Sequence, residues 1–310
     1  MSIPKSGKGL AVALQGGGAL GAFSWGVLDA LLEAGVIPSA ASGASAGAVN
    51  AILLAHGLLD GPEAARKTLS SLWSSVGRSS ILSGSTIRAA AEVWKFASIG
   101  LPFMPRFQPT NDAVLRGLLS SIVDFERIRR ERPIHLAISA LDTGSGRGRI
   151  FTEADVDLNA VLASCSLPGI SSPVIVGNRK FRDGGYAANP PLRALAMLDG
   201  IKDILLVRLT SDTDEDGDAL PFKAGLGREM DALDELLNMT RAGQLADPVL
   251  VDRLLSLQLQ EVSLHAHSTL TRADPLDSGS SALSALWRGG RAALVGKPWL
   301  AGFHTNPQEI

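Results

Sequence analysis

With 310 residues, 45% of them hydrophobic, the chain can bury a large core. Its net charge of -2 and isoelectric point near 6.2 exclude a nucleic-acid binder, because neutralising phosphates takes a clustered excess of Lys and Arg. One cysteine, Cys165, excludes an internal disulfide and a thiolate zinc set, and fits a reducing, cytoplasmic compartment.

The first segment, MSIPKSGKGLAVALQGGG, lacks the long apolar region and cleavage site of a secretory signal. Gly9 to Gln15 (GLAVALQ) is apolar without alternation, the pattern of a strand buried on both faces. A glycine loop follows, and then Leu20, Phe23, Val27, Leu28, Leu31 and Ala34 recur at helical spacing. Asp29 and Glu33 lie one turn apart on the opposite face, and Gly35 supplies the stop. Val36 to Gly57 repeats the scheme as a short extended piece, a sharp turn at Gly43-Ala44-Ser45-Ala46-Gly47 and a helix apolar enough to be buried. Ala34 to Leu59 carries no charge, but Pro38, the small residues around Ser45 and Gly57 interrupt it too often for a bilayer span.

Further strands are predicted at Ile134 to Leu141, Arg149 to Thr152, Val174 to Val176, Lys180 to Arg182 and Asp203 to Leu209, with helical patterns between them. After Leu220 the chain reads as helical throughout, over Gly225 to Ala242, Asp247 to Val262 and Ala282 to Val295. The fold predicted is α/β, a three-layer sandwich with a mostly parallel central sheet, helices on both faces and a helical C-terminal third. We expect a single domain over 1–310, with an α/β core over about 9–209 and a helical extension over about 220–305 packed on it.

Three stretches stand outside this pattern. Trp94 to Phe107 combines four aromatic residues with two prolines, which suits packing against the core, a lid over an apolar pocket, or transient contact with a membrane surface. Asp212 to Asp218 matches the first half of a calcium loop, but Lys223 stands where the bidentate Glu belongs, so a solvated loop and no metal is expected. The basic run from Arg127 to Arg132 includes its own acids and reads as a solvated helix end.

Two glycine motifs could carry chemistry. Gly16-Gly17-Gly18-Ala19-Leu20-Gly21 satisfies G-x-G-x-x-G, yet the acid that a dinucleotide ribose requires about 20 residues on is missing between Ala34 and Leu59. The same loop suits another anion, since its N–H groups, aimed by the following helix, would stabilise an oxyanion formed in acyl transfer. Gly43-Ala44-Ser45-Ala46-Gly47 fits G-x-S-x-G, in which flanking glycines let the chain turn sharply and hold the serine exposed. A serine needs a base at neutral pH, and Asp183, in Phe181-Arg182-Asp183-Gly184-Gly185, ends a short strand where two glycines permit close approach.

Together, GGGALG, GASAG and DGGYAANPP, in that order, resemble the patatin-like phospholipases. Ala163-Ser164-Cys165-Ser166-Leu167-Pro168 is similar to the family's Ala-Ser-x-x-x-Pro segment, and the resemblance runs from about Gly9 to Leu209. It implies an α/β sandwich with a Ser–Asp dyad, no catalytic histidine, no cofactor and a lipid or acyl-ester substrate. Carried over, Ser45 is the nucleophile and Asp183 the base. Gly16, Gly17, Gly18 and Ala19 form the oxyanion hole, while Gly21, Gly43, Gly47, Gly184 and Gly185 shape the motif turns. One departure is Leu20, where the family often has Arg or Lys.

An aspartate with an ordinary pKa of about 3.9 is a weak base for a hydroxyl, so the dyad requires a site partly stripped of water. The alternative is a Ser-Asp-His triad using His265, His267 or His304. His56 is expected to cap or pack at the end of its helix, and His135 to be a satisfied strand residue. An acyltransferase using the same serine, or a lipid-binding protein without turnover, would share these features.

Overall fold

Apolar runs without polar alternation become the central strands. The computed structural model describes residues 9–78, 111–168, 171–210, 221–266, 270 and 273–303. In it β1 (Gly9–Leu14) lies between β2 (Ala40–Gly43) and β7 (Ile201–Arg208), parallel to both. β3 (His135–Asp142) extends the parallel set beyond β2, and β8 (Gln258–Ser263) extends it beyond β7. β4 (Gly148–Phe151), β5 (Val174–Val176) and β6 (Arg179–Asp183) join antiparallel, giving the order β5-β6-β3-β2-β1-β7-β8 with β4 paired to β3.

The two-residue period of a strand divides the core into two layers. Leu10, Val12 and Leu14 of β1 and Leu205 and Val207 of β7 face the larger apolar cluster. That cluster includes residues of α1 (Gly21–Glu33), α2 (Ala46–Leu58), α3 (Pro62–Arg78), α4 (Asn111–Ile122), α5 (Phe125–Glu131) and α6 (Leu158–Ser164). Ala11, Ala13, Ile204 and Leu206 face the other way, toward α7 (Leu192–Ala196), α8 (Pro221–Arg241) and α9 (Pro248–Ser256). The sheet is mostly parallel and helices cover both faces, as predicted.

The C-terminal region departs from the expectation of continuous helix. Asp247 caps α9, its carboxylate accepting from the N–H groups of Val249 and Leu250, but the chain turns extended at Leu257 (φ -64, ψ 129). Gln258–Ser263 then pairs with β7 as β8 instead of completing the helix predicted to Val262. A buried strand such as β7 cannot leave a row of amides unpaired, and that demand outweighs the helical propensity of QLQEVS.

The last long helix, α10 (Ser280–Ala292), packs on α1 at close range. Its Arg291 pairs with Asp29 and Glu33 of α1, which Arg66 of α3 also holds at 2.7 and 2.9 Å. The polar face of α1 is therefore an ion-paired seam, and Asp29 is only 5% exposed. The basic run in α5 is likewise paired: Arg127 meets Asp60 and Glu131, and Arg129 meets Glu126.

Candidate active site

The carboxyl ends of the parallel strands gather the motif loops. Beyond β2 the chain reverses into α2 through Ser45, which has φ 53 and ψ -124, a left-handed conformation that costs a non-glycine residue about 1–3 kcal/mol. The flanking glycines make the turn possible. A side chain on Gly43 would come within 2.6 Å of Ala48 N and overlap the Gly47 carbonyl, and one on Gly47 would overlap the Leu14 carbonyl. The elbow is held from outside by Ser164 at the end of α6, whose Oγ accepts from the Ser45 N–H at 3.0 Å. Ser45 is 6% exposed.

Asp183 ends β6 and is wholly buried. Its Oδ1 accepts from the Gly185 N–H at 2.7 Å, while Oδ2 has no hydrogen-bond partner of normal geometry among the described residues. Burial pushes the carboxyl up to about 7; the Gly185 N–H and the Ser45 hydroxyl both act on it in the opposite direction and are outweighed. The serine and the carboxylate are thus brought together from positions 138 residues apart in sequence. Tyr186, two residues after Gly184, has its phenol raised by burial and by the Asp183 charge.

The glycine loop borders the elbow: a side chain on Gly16 would lie 3.0 Å from Ser45 Cβ. Its four candidate donors divide into two pairs. The Gly16 N–H donates to Asn189 Oδ1 at 2.7 Å and the Ala19 N–H to the Pro275 carbonyl at 2.8 Å. The N–H groups of Gly17 and Gly18 have no protein partner among the described residues and remain for a ligand. The Ala46 N–H, in the first turn of α2, is also without an intrahelical partner. Gly21 starts α1, where its carbonyl accepts from Asn50 Nδ2 at 2.9 Å. Gly184 lies against Ser139 of β3.

The described histidines are engaged elsewhere. His56 Nδ1 accepts from the Asp124 N–H at 3.2 Å, and His135 pairs with Glu153 at the opposite end of the sheet. His265 Nε2 donates to the Leu209 carbonyl at 3.1 Å, past the ends of β7 and β8. His267, His304, Trp94 to Phe107 and Asp212 to Asp218 lie outside the described residues. Among the described residues no three His, Cys, Asp or Glu side chains converge as a metal site, and no helix is long and apolar enough to cross a membrane.

Three contributors had no assigned role in the sequence: Ser164, Asn189 and the Pro275 carbonyl. The first two fall inside the Ala-Ser-x-x-x-Pro and DGGYAANPP segments, so the signal was present, but their partners lie 119 and 173 residues away.

A strained serine at a strand-to-helix turn, set beside a buried carboxylate at the end of β6 in a mixed sheet, defines an α/β protein with a sharp serine elbow. A family model described as patatin-like phospholipase matches residues 12–196. The chain belongs to the patatin-like phospholipase family. Among curated proteins none matches it.

Three solved structures are similar at low identity. VipD from Legionella pneumophila is 14% identical with a TM-score of 0.42, over 94% of this chain and 67% of that one. ExoU from the type III secretion system of Pseudomonas aeruginosa, in its complex with SpcU, is 17% identical with a TM-score of 0.41, over 97% of this chain and 53% of that one. Human GIVD cytosolic phospholipase A2 is 12% identical with a TM-score of 0.35, over 64% of this chain and 39% of that one. The chain therefore spans about half the length of ExoU and less of the human enzyme.

Proposed function

We propose that this protein is a serine lipid acyl hydrolase that cleaves fatty-acyl ester bonds through Ser45 and Asp183. Asp183 takes the Ser45 hydroxyl proton as Oγ forms a bond to the ester carbonyl carbon, and the carbonyl oxygen becomes an oxyanion received by the Gly17 and Gly18 N–H groups. Collapse breaks the ester C–O bond, the Asp183 proton passes to the departing alcohol, and an acyl-Ser45 remains. Asp183 then takes a proton from water, which attacks the acyl carbon; collapse returns that proton to Ser45 and releases the fatty acid.

The observation that carries this reading is the state of Asp183. A carboxylate at its ordinary pKa would barely accept a hydroxyl proton, but one buried without a cation, raised to about 7 and acting on the strained serine, is a workable base at neutral pH. Family membership supports a lipid ester as the substrate class, and contact with a membrane surface would follow from such a substrate.

The test is to treat the protein with a fluorophosphonate and locate the added mass, then to assay a chromogenic fatty-acyl ester with Ser45→Ala, Asp183→Asn and His265→Ala. We expect the adduct on Ser45, turnover lost in the first two variants by a factor of at least about 10², and His265→Ala active. No adduct, or an active Asp183→Asn, overturns the dyad.

A further inference from the structure

The family match ends at residue 196, yet the glycine loop is seated by residues beyond it. The Ala19 N–H donates to the Pro275 carbonyl at 2.8 Å, and a side chain on Gly18 would lie 2.5 Å from the same oxygen. Leu209, just past β7, lays its Cδ1 against Gly17; Gln15 holds its N–H at 2.6 Å and His265 its carbonyl. Pro275 in turn belongs to the segment that leads into α10, and α10 is fastened to α1, the helix that the glycine loop opens. A side chain on Gly290 would overlap the Phe23 carbonyl and come within 2.9 Å of Val27 N. Trp287 packs on Trp25 at 5.5 Å between ring centres, and Arg291 pairs with Asp29 and Glu33.

We infer that the C-terminal segment is a positioning element of the active site: Pro275, held down by the α10–α1 seam, fixes the glycine loop so that Gly17 and Gly18 keep their N–H groups open beside Ser45. The inference rests on the oxyanion-hole reading of that loop. Its physical basis is that Ala19 and Gly16 are tied at the two ends of the loop, so the two amides between them cannot turn away to find other partners. Releasing one tie lets them do so, and misplacement of such donors by an ångström costs turnover far more than binding.

Because Pro275 acts through its main chain, the seam is the place to cut. Gly290→Ala forces α10 off α1, and Arg291→Met is the milder variant should the first fail to fold. Leu254→Ala, in α9 on the other face of the sheet, is the control for lost stability alone. Two readouts are taken at a temperature where each variant is folded: kcat and KM for the chromogenic ester, and hydrogen exchange of the Ala19 amide. We expect kcat to fall about tenfold to a hundredfold with KM within about threefold, Ala19 exchange to accelerate at least tenfold, and neither to change in Leu254→Ala. Ala19 protection unchanged in both seam variants, kcat unchanged despite lost protection, or an equal kcat loss in Leu254→Ala overturns the inference. Failure of wild-type protein to react at Ser45 would instead overturn the hydrolase reading, while Ala19 exchange still reports whether the seam seats the loop.

Discussion

The side-chain oxygen of Ser164 accepts a hydrogen bond from the main-chain N–H of Ser45 at 3.0 Å, across 119 residues of sequence. The Ser45 N–H finds its partner outside the elbow, in a hydroxyl supplied by the end of α6, so the strained turn is braced from another element. Ser164→Ala leaves that buried amide unpaired and should lower stability by about 1–3 kcal/mol. The turn then relaxes, and we expect kcat for a chromogenic ester to drop by about tenfold or more with little change in KM. Thermal melting and steady-state kinetics on the same preparation check both parts.

The raised pKa of Asp183 sets a pH profile. The base must be unprotonated to act, so kcat/KM should fall tenfold for each pH unit below about 7 and level off above it. A histidine base would give a similar limb, so the profile is to be measured alongside His265→Ala, whose midpoint should match wild type whatever its plateau, because His265 only holds the Leu209 carbonyl.

Stability should follow the same group with the opposite sense. In the unfolded chain the carboxyl titrates near 3.9, and in the folded protein near 7. Below pH 4 it is protonated in both states and imposes no penalty. As pH rises from 4 to 7 the unfolded state gains the charge that the folded state resists, so stability declines, and the loss is complete above 7. Asp183→Asn keeps an acceptor for the Gly185 N–H and removes the buried charge. We expect it to be more stable than wild type by a few kcal/mol at pH 8, the gain vanishing near pH 4, in thermal melts across that range.

The features legible in the sequence are those whose physical cause is local. Gly43 is required by the backbone of Gly47, four residues on, so the elbow announces itself within five residues, and the apolar runs of β1 and β7 reveal burial on two faces without any partner being known. Hidden features were set at long range. Pro275 serves through a carbonyl, which no side-chain pattern encodes, and β8 forms because β7 offers a free edge, although QLQEVS itself follows a helical run. Asp29 and Glu33 read as an outward polar face because Arg66 and Arg291, which cover it, come from 33 to 262 residues away.

Asn189 offers a test that separates positioning from charge. Its Oδ1 holds the Gly16 N–H at 2.7 Å, and the common neighbour Gly16 places that oxygen within about 6 Å of Ser45 Cβ. Asn189→Ala removes the acceptor, freeing one end of the glycine loop. Turnover should fall about tenfold or more, with the midpoint of the pH profile unmoved. Asn189→Asp retains an acceptor for Gly16 but introduces a second carboxylate beside the serine that meets Asp183, and a like charge close by resists joint ionisation. Its kcat/KM profile should therefore shift to higher pH by about one unit, with activity recovering toward wild type in alkaline buffer where the alanine variant does not recover. If the two variants instead gave superimposable profiles, Asn189 would act on the loop without sensing the electrostatics of the Ser45–Asp183 pair.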